Sequence, residues 1–449
     1  MKTGAVSGSP FGWVEVSDSA LTRLRRELEQ KGQGVVDEMG VLAIHSAYAD
    51  YFFPGTSVLQ TRPRYLFFLC WNLLWLASQR STTATIQRRK DEAELWVTAR
   101  LVSSKERRAS TRTAGREMEG IIGVDVFQEK PPRPPAQRLD FIYWTALRRW
   151  NFYKSRSLSN RSPLFHHWRA GGVVRVAEVA DESRDDVIWQ EPLAELHVPA
   201  PPDYWQSEES EDLDFELTSE EARWLQDRLL TLDDVAEGPR LLAKAAELCG
   251  NLPPASKADS PRPWDDPLIK SAAEATGQTD RLERARQASV LAHYVRAIYA
   301  ALVENVVNTT DAPKRTVPLH HYRDTLRDLA GNSDMRSEAI RFRLTDLAMD
   351  APRLPGLLRR CLEHVQDGLR RVDAGEDIEQ TFMTEVTHRT FEAVERRRKG
   401  LRARLPRTEV GAARRAHFDE KTLNVYDLDY RWDHVRTILS DLHRGLARE

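Results

Sequence analysis

Charge in this chain is segregated, and the segregation limits the folds open to it. Residues 1–175 hold 27 Lys and Arg against 16 Asp and Glu, a net of +11, whereas residues 176–235 hold 3 against 19, a net of −16. The remainder keeps 36 against 33, a net of +3, and the three segments sum to the formal −2 of the whole. A near-neutral average therefore hides a basic front and an acidic middle. Either the acids dock on the front within one molecule, or the front keeps its cations for a polyanion outside it. Charge alone leaves both arrangements open.

A chain of 449 residues is long enough for two or three domains with real cores. With 41% hydrophobic and 30% charged residues it is neither collagen-like nor wholly disordered. Cys70, Cys249 and Cys361 are far apart and odd in number, which argues for a reducing compartment and against a disulfide framework. The opening stretch, residues 1–10, lacks the apolar core of a signal peptide. These features predict a soluble, cytoplasmic protein with no membrane contact.

The pattern predicts a mainly α fold: a helical N-terminal domain with a few short strands, an acidic linker and an all-helical C-terminal domain. The expected divisions are a basic, aromatic-rich unit over 1–200, a proline-rich acidic linker over 201–216 and a helical unit over 217–449. In the front, helices are expected over 18–31, 37–52, 83–104 and 137–153, with short strands near 173–179 and 192–198. Pro54-Gly55-Thr56-Ser57 reads as a turn, and Thr61 as the cap of a third helix with Pro63 in its first turn. That helix carries an apolar run of about a dozen residues against the ~20 a bilayer requires, so it reads as a core helix. In the rear, Thr218-Ser219-Glu220-Glu221 matches a capping box. Helices are expected over 280–307, 377–399 (closed by Gly400) and 428–445. The last of these spaces Leu428, Trp432, Val435, Leu439 and Leu442 as one stripe for packing on the body of the domain or on a partner, the body being favoured over so short a run.

A search for catalytic patterns yields little. There is no Walker phosphate loop, dinucleotide fingerprint, C-x-x-C pair or serine-hydrolase elbow. His166-His167 and His320-His321 lack the partners of a zinc site. Asp125, Glu129 and Lys130 could be assembled into a nuclease-like cluster, but the adjacent Glu129 and Lys130 would point to opposite faces of a strand. No metal, cofactor or catalytic residue is assigned.

Three constellations carry possible binding chemistry. In the first, Thr56 and Ser57 of the turn, followed by Arg62 and Arg64, offer hydroxyls, amides and guanidinium groups to an anion such as a DNA phosphate; the alternative is a closed turn with its arginines paired internally. In the second, Arg148, Arg149, Lys154 and Arg156 are interleaved with Trp144, Trp150, Phe152 and Tyr153, and Arg161 to Arg169 follow. Rings and cations so mixed can hold single strands, although several of the rings share a helical face and belong to a core. The third is Arg396-Arg397-Arg398-Lys399 with Arg402, Arg404 and Arg407, where a helix C-terminus favours cations by its dipole alone.

Several short segments bear a resemblance. Phe11-Gly12-Trp13, Phe52-Phe53-Pro54-Gly55-Thr56-Ser57, Gln60-Thr61-Arg62-Pro63-Arg64-Tyr65, Trp71, Glu119-Gly120-Ile121-Ile122-Gly123 and Leu428-Asp429-Tyr430-Arg431-Trp432 together resemble an uncharacterised bacterial family. One departure is Leu69-Cys70-Trp71, where the family pattern has a proline before the tryptophan. The resemblance implies a component of a multi-gene anti-phage defence system, encoded beside a helicase and a phospholipase-D-like nuclease, and it transfers no catalytic residue. The resulting expectation is a non-catalytic accessory subunit that helps the helicase and nuclease by binding DNA through Thr56, Ser57, Arg62, Arg64, Arg148, Arg149, Lys154 and Arg156. The alternatives are an assembly subunit that never touches nucleic acid, and a nuclease or toxin of unrecognised type.

Overall fold

The computed structural model describes residues 37–78, 83–108, 118–155, 175–176, 194–206, 213–234, 240–311 and 318–448. The segment expected as a helix over 18–31, Phe11-Gly12-Trp13, Arg156 and the Arg161 to Arg169 stretch lie outside these residues.

The architecture is mainly α. In the front, α1 (Leu42–Phe52), α2 (Tyr65–Ser78), α3 (Thr83–Arg108), the short α4 (Val124–Phe127) and α5 (Leu139–Arg149) precede three short strands. The strands β1 (Tyr153–Ser155), β2 (Arg175–Val176) and β3 (Ala194–Leu196) form one sheet in the order β1-β3-β2. In it Tyr153 faces Leu196 across the antiparallel pair, and Arg175 faces Glu195 across the parallel one. The helix expected over 137–153 stops early because Asn151 takes a left-handed φ of +53°, a conformation that closes helices. The chain beyond it is then free to extend as β1.

The rest is helical: α6 (Ser219–Leu230), α7 (Leu241–Leu248), α8 (Pro267–Ala275), the long α9 (Thr279–Thr310), α10 (His321–Gly331), α11 (Ser333–Arg341), α12 (Leu344–Asp350), α13 (Gly356–Asp373), α14 (Ile378–Phe382), α15 (Glu385–Lys399), α16 (Glu409–Arg415) and α17 (Trp432–Leu446). The single helix expected over 377–399 is two, because Thr384 caps a new start by accepting from Thr387 N. The capping box at α6 forms as its sequence implies: Glu221 N donates to Thr218 Oγ1 at 3.1 Å and Thr218 N to Glu221 Oε2 at 2.9 Å.

Helix α9 is the axis of the fold. It is long and apolar enough to cross a membrane by length and composition, but its apolar window is 83% buried by α8, α10, α11, α12, α13 and α1. Its buried Glu304 supplies a cap that α10 lacks, accepting from Tyr322 N at 2.9 Å and Arg323 N at 3.1 Å. Helix α2 is likewise buried from Tyr65 to Leu73, as a core helix should be. The α17 stripe of Trp432, Val435, Leu439 and Leu442 is buried against the body, and Leu428 is buried just ahead of the helix. A single apolar core runs from Met39 to Leu442. The acidic span enters that core, since Trp205, Leu213 and Phe215 are buried, with Phe215 packed on Tyr65 at 5.2 Å between ring centres. Cys70, Cys249 and Cys361 are free thiols buried in it.

Candidate functional site

The turn after α1 is closed by its own side chains. Thr56 Oγ1 donates to Phe53 O at 2.7 Å, and Ser57 Oγ accepts from Leu59 N at 3.3 Å. Gln60 sits at the centre: its Oε1 accepts from Ser57 N, and its Nε2 donates to Gly55 O at 3.0 Å. Gly55 has φ of +88°, and a Cβ there would lie 2.4 Å from Trp150 Nε1, which itself donates to Pro54 O. Only glycine satisfies both the conformation and the close approach. The hydroxyls and amides that an anion would need are thus engaged.

The following segment is a junction. Tyr143 OH accepts from Thr61 N at 3.1 Å and Arg62 N at 3.2 Å and donates to Arg62 O at 2.8 Å. Thr61 does not cap α2, which begins at Tyr65; its hydroxyl donates to Gly120 O at 2.7 Å. Tyr65 OH accepts from Ile122 N at 3.0 Å, so the Glu119–Gly123 segment is fastened to the same place. Arg62 reaches Asp441 on α17 with two parallel bonds of 2.7 and 2.9 Å. Arg64 forks between Asp214 at 2.7 Å and Glu221 at 3.0 Å. Two of those three acids come from the acidic middle of the chain. Both arginines are therefore engaged in internal ion pairs, the alternative that the sequence left open for this turn.

The C-terminal motif meets the turn from the other side. Tyr430 and Arg431 adopt φ of +51° and +65°, a pairing that side chains rarely tolerate and that surrounding contacts must hold. Tyr430 OH donates to Ala285 O, and Arg431 donates to Asp50 Oδ1 and to Thr56 O at 2.7 and 2.8 Å. His434 Nδ1–H donates to Gln60 O at 2.8 Å, and the buried Trp432 ring lies 6.3 Å from that of Phe53. Segments 52–65, 119–123 and 428–432, far apart in the chain, thus converge on one seam.

The other expected residues fall elsewhere. Arg148, Arg149 and Lys154 are exposed at the end of α5 and on β1, where Arg148 lies 6.0 Å from the Trp144 ring. Trp144, Trp150, Phe152 and Tyr153 are buried, so these rings belong to the core and offer no stacking platform. In the third constellation Arg396 pairs with Glu392, Arg398 with Asp37, Arg407 with Glu385, and Lys399 and Arg404 with Glu38. Sequence reasoning missed the acids that complete these pairs. Asp441 gave no local signal, because its spacing from Leu439 and Leu442 places it off the apolar stripe of α17. Among the described residues no cluster of three or more His, Cys, Asp or Glu is arranged to hold a metal ion.

A second charged cluster lies where α3 meets α5. Lys90 pairs with Asp140, Arg138 pairs with Asp91 at 2.7 Å, and Arg138 approaches the buried Glu94 at 3.5 Å. The Glu94 oxygens receive no hydrogen bond among the described residues. Burial pushes Glu94 up to about 7, with Asp140 and Asp91 raising it further and Lys90 and Arg138 opposing. A carboxyl held above its ordinary 4.5 contributes stability below that pH and loses it as pH rises through about 7. Glu94→Gln, which keeps the shape and cannot ionise, is expected to match the parent at pH 4.5 and exceed it by about 1–3 kcal/mol at pH 8. Thermal unfolding of both proteins across that range checks it; an equal gain at both ends would contradict it.

Residues 11–148 match a family described as a family of unknown function (DUF6361), a stretch that includes the turn, Gln60–Tyr65 and Glu119–Gly123. No curated protein matches the chain, and no solved structure does.

Proposed function

We propose that the protein is a non-catalytic assembly subunit of a multi-gene anti-phage defence system, acting in the cytoplasm by holding partner proteins. The helicase and the phospholipase-D-like nuclease of the same system are the partners that the family resemblance offers. The observation that carries this reading is the fate of the motif arginines. Arg62 and Arg64 are bound to Asp441, Asp214 and Glu221, so a clamp on nucleic acid loses its two best-placed cations. The seam they build instead ties the front of the chain to its last helix, which suits a rigid body that partners grip. One specific observation favours a second reading: Arg148, Arg149 and Lys154 are each exposed and so open to DNA.

Co-expression with the helicase and nuclease, followed by nuclease treatment and affinity purification, separates the two. The assembly reading expects a complex that survives digestion. It also expects no salt-dependent retention of single- or double-stranded DNA on filters at low ionic strength. A complex lost on digestion, or DNA binding that Arg148→Ala with Arg149→Ala abolishes, would overturn it in favour of the second.

A further inference from the structure

We infer that the outer face of α15, the turn after it and α16 is the docking surface for an acidic, amphipathic segment of a partner protein. This rests on the assembly role proposed above and names the surface that would serve it.

The geometry starts from the inner face of α15, where Thr387, His388, Phe391, Val394 and Glu395 are buried. The chain then folds back along this helix. Arg404 N and Leu405 N both donate to Glu395 at 2.8 Å, and Arg407 reaches Glu385 in the first turn at 2.8 Å. Helix α16 seats on the returning segment so closely that a Cβ on Gly411 would lie 2.1 Å from Pro406 O. Buried Arg415 pins it by donating to Pro406 O at 2.9 Å and to Asp311 at 2.8 Å. The turn after α15 is thereby fastened to that helix, and α16 is fastened to the turn.

What this platform shows outward is unusual. The exposed stripe of α15 reads Val386, Arg389, Ala393, Arg397, at spacings of i, i+3, i+7 and i+11, and that of α16 reads Val410, Ala413, Arg414. Val386, Leu401 and Val410 are 66%, 79% and 48% exposed. A helix face meant only for water carries mixed polar residues, commonly Lys and Glu. Here apolar side chains alternate with arginine. The sole lysine between 385 and 415, Lys399, is turned inward to Glu38. Arginine is enriched and lysine depleted where proteins meet proteins.

Charge sets the partner's sign. Arg389, Arg396, Arg397, Arg402, Arg407 and Arg414 are exposed here, against the carboxylates of Glu385, Glu392 and Glu409. Glu385 is shared by Arg389 and Arg407, and Glu392 is held by Arg396. Arg397 and Arg414 have no acidic partner among the described residues. A complementary surface must bring carboxylates to the arginines and apolar groups to Val386, Leu401 and Val410. An acidic amphipathic helix supplies both, whereas a phosphate backbone would leave the three apolar side chains unmatched.

Fluorescence anisotropy of the full chain tests this with a labelled synthetic peptide bearing Leu and Glu at helical spacing. A scrambled peptide of the same composition, single- and double-stranded oligonucleotides, and phosphatidylserine vesicles are compared with it. The expected result is binding about tenfold or more tighter to the amphipathic peptide than to its scramble, a difference of about 1.4 kcal/mol. Leu401→Asp with Val410→Asp, and separately Arg397→Glu with Arg414→Glu, should each erase that preference at unchanged Tm, since all four side chains are exposed. Equal binding of the two peptides would overturn the proposal. So would oligonucleotide or vesicle binding that the same variants abolish in place of peptide binding. In co-purification, a Leu401→Asp, Val410→Asp chain that retains the helicase or nuclease at parental yield would refute this surface and leave the assembly role standing. A parental chain that retains neither would refute the assembly role itself.

Discussion

Trp432→Ala is expected to cost about 3–5 kcal/mol of folding free energy, the range for emptying a fully buried tryptophan site. Its ring has no exposed surface, and its Nε1 donates to Ser260 O at 3.0 Å. It packs beside Phe53, and the Arg436 guanidinium lies 5.8 Å from its centre. The loss is compounded by position. Trp432 opens α17 directly after the two left-handed residues Tyr430 and Arg431, whose conformation depends on being held from both sides. Urea unfolding should show a lower midpoint with an unchanged slope, whereas Trp432→Phe should recover part of the loss. A midpoint within error of the parent would show that the seam carries no load.

Arg64→Met should be nearly as damaging, at about 3–5 kcal/mol, because it breaks a buried pair from one side only. Glu221 is buried and would keep its capping bond to Thr218 N while losing its cation, and Asp214 would lose its partner as well. Adding Glu221→Gln removes the stranded charge and should restore part of the stability. Failure of that second change to help would mean that Arg64 stabilises by packing on Phe68, 5.5 Å away, and not through its charge. Either outcome is read from the same denaturation midpoints.

The parts of the fold set by local chemistry were legible in the sequence. The capping box of α6 needs only Thr218 and Glu221, and the stripe of α17 needs only its period, so both could be read from a dozen residues. The end of α5 was legible in principle, because Asn151 is one of the few side chains that tolerates a left-handed turn. The site was another matter. That Arg62 and Arg64 stand beside a hydroxyl-rich turn is plain from the sequence, but whether they face a phosphate depends on acids at 214, 221 and 441. Asp441 lies 379 positions from Arg62, and no local pattern encodes a contact across that distance. The charge distribution does contain a hint, since two of the three acids belong to the segment whose net of −16 is opposite in sign to the +11 in front. The buried Trp144 of α5 and Trp150 just after it show the same limit. Their spacing with arginines suits stacking, yet only the core against which α5 packs decides which of them water can reach.

The claim on which this account rests is that Arg62 fastens the front of the chain to its last helix. A double-mutant cycle with Arg62→Ala and Asp441→Ala, read by urea unfolding, tests it most directly. The prediction is a coupling of about 1–3 kcal/mol between the two sites, with no DNA retained at low salt by the parent or by either variant. Additive effects within about 0.3–0.5 kcal/mol, together with DNA retention that falls when Arg62 alone is replaced, would contradict it.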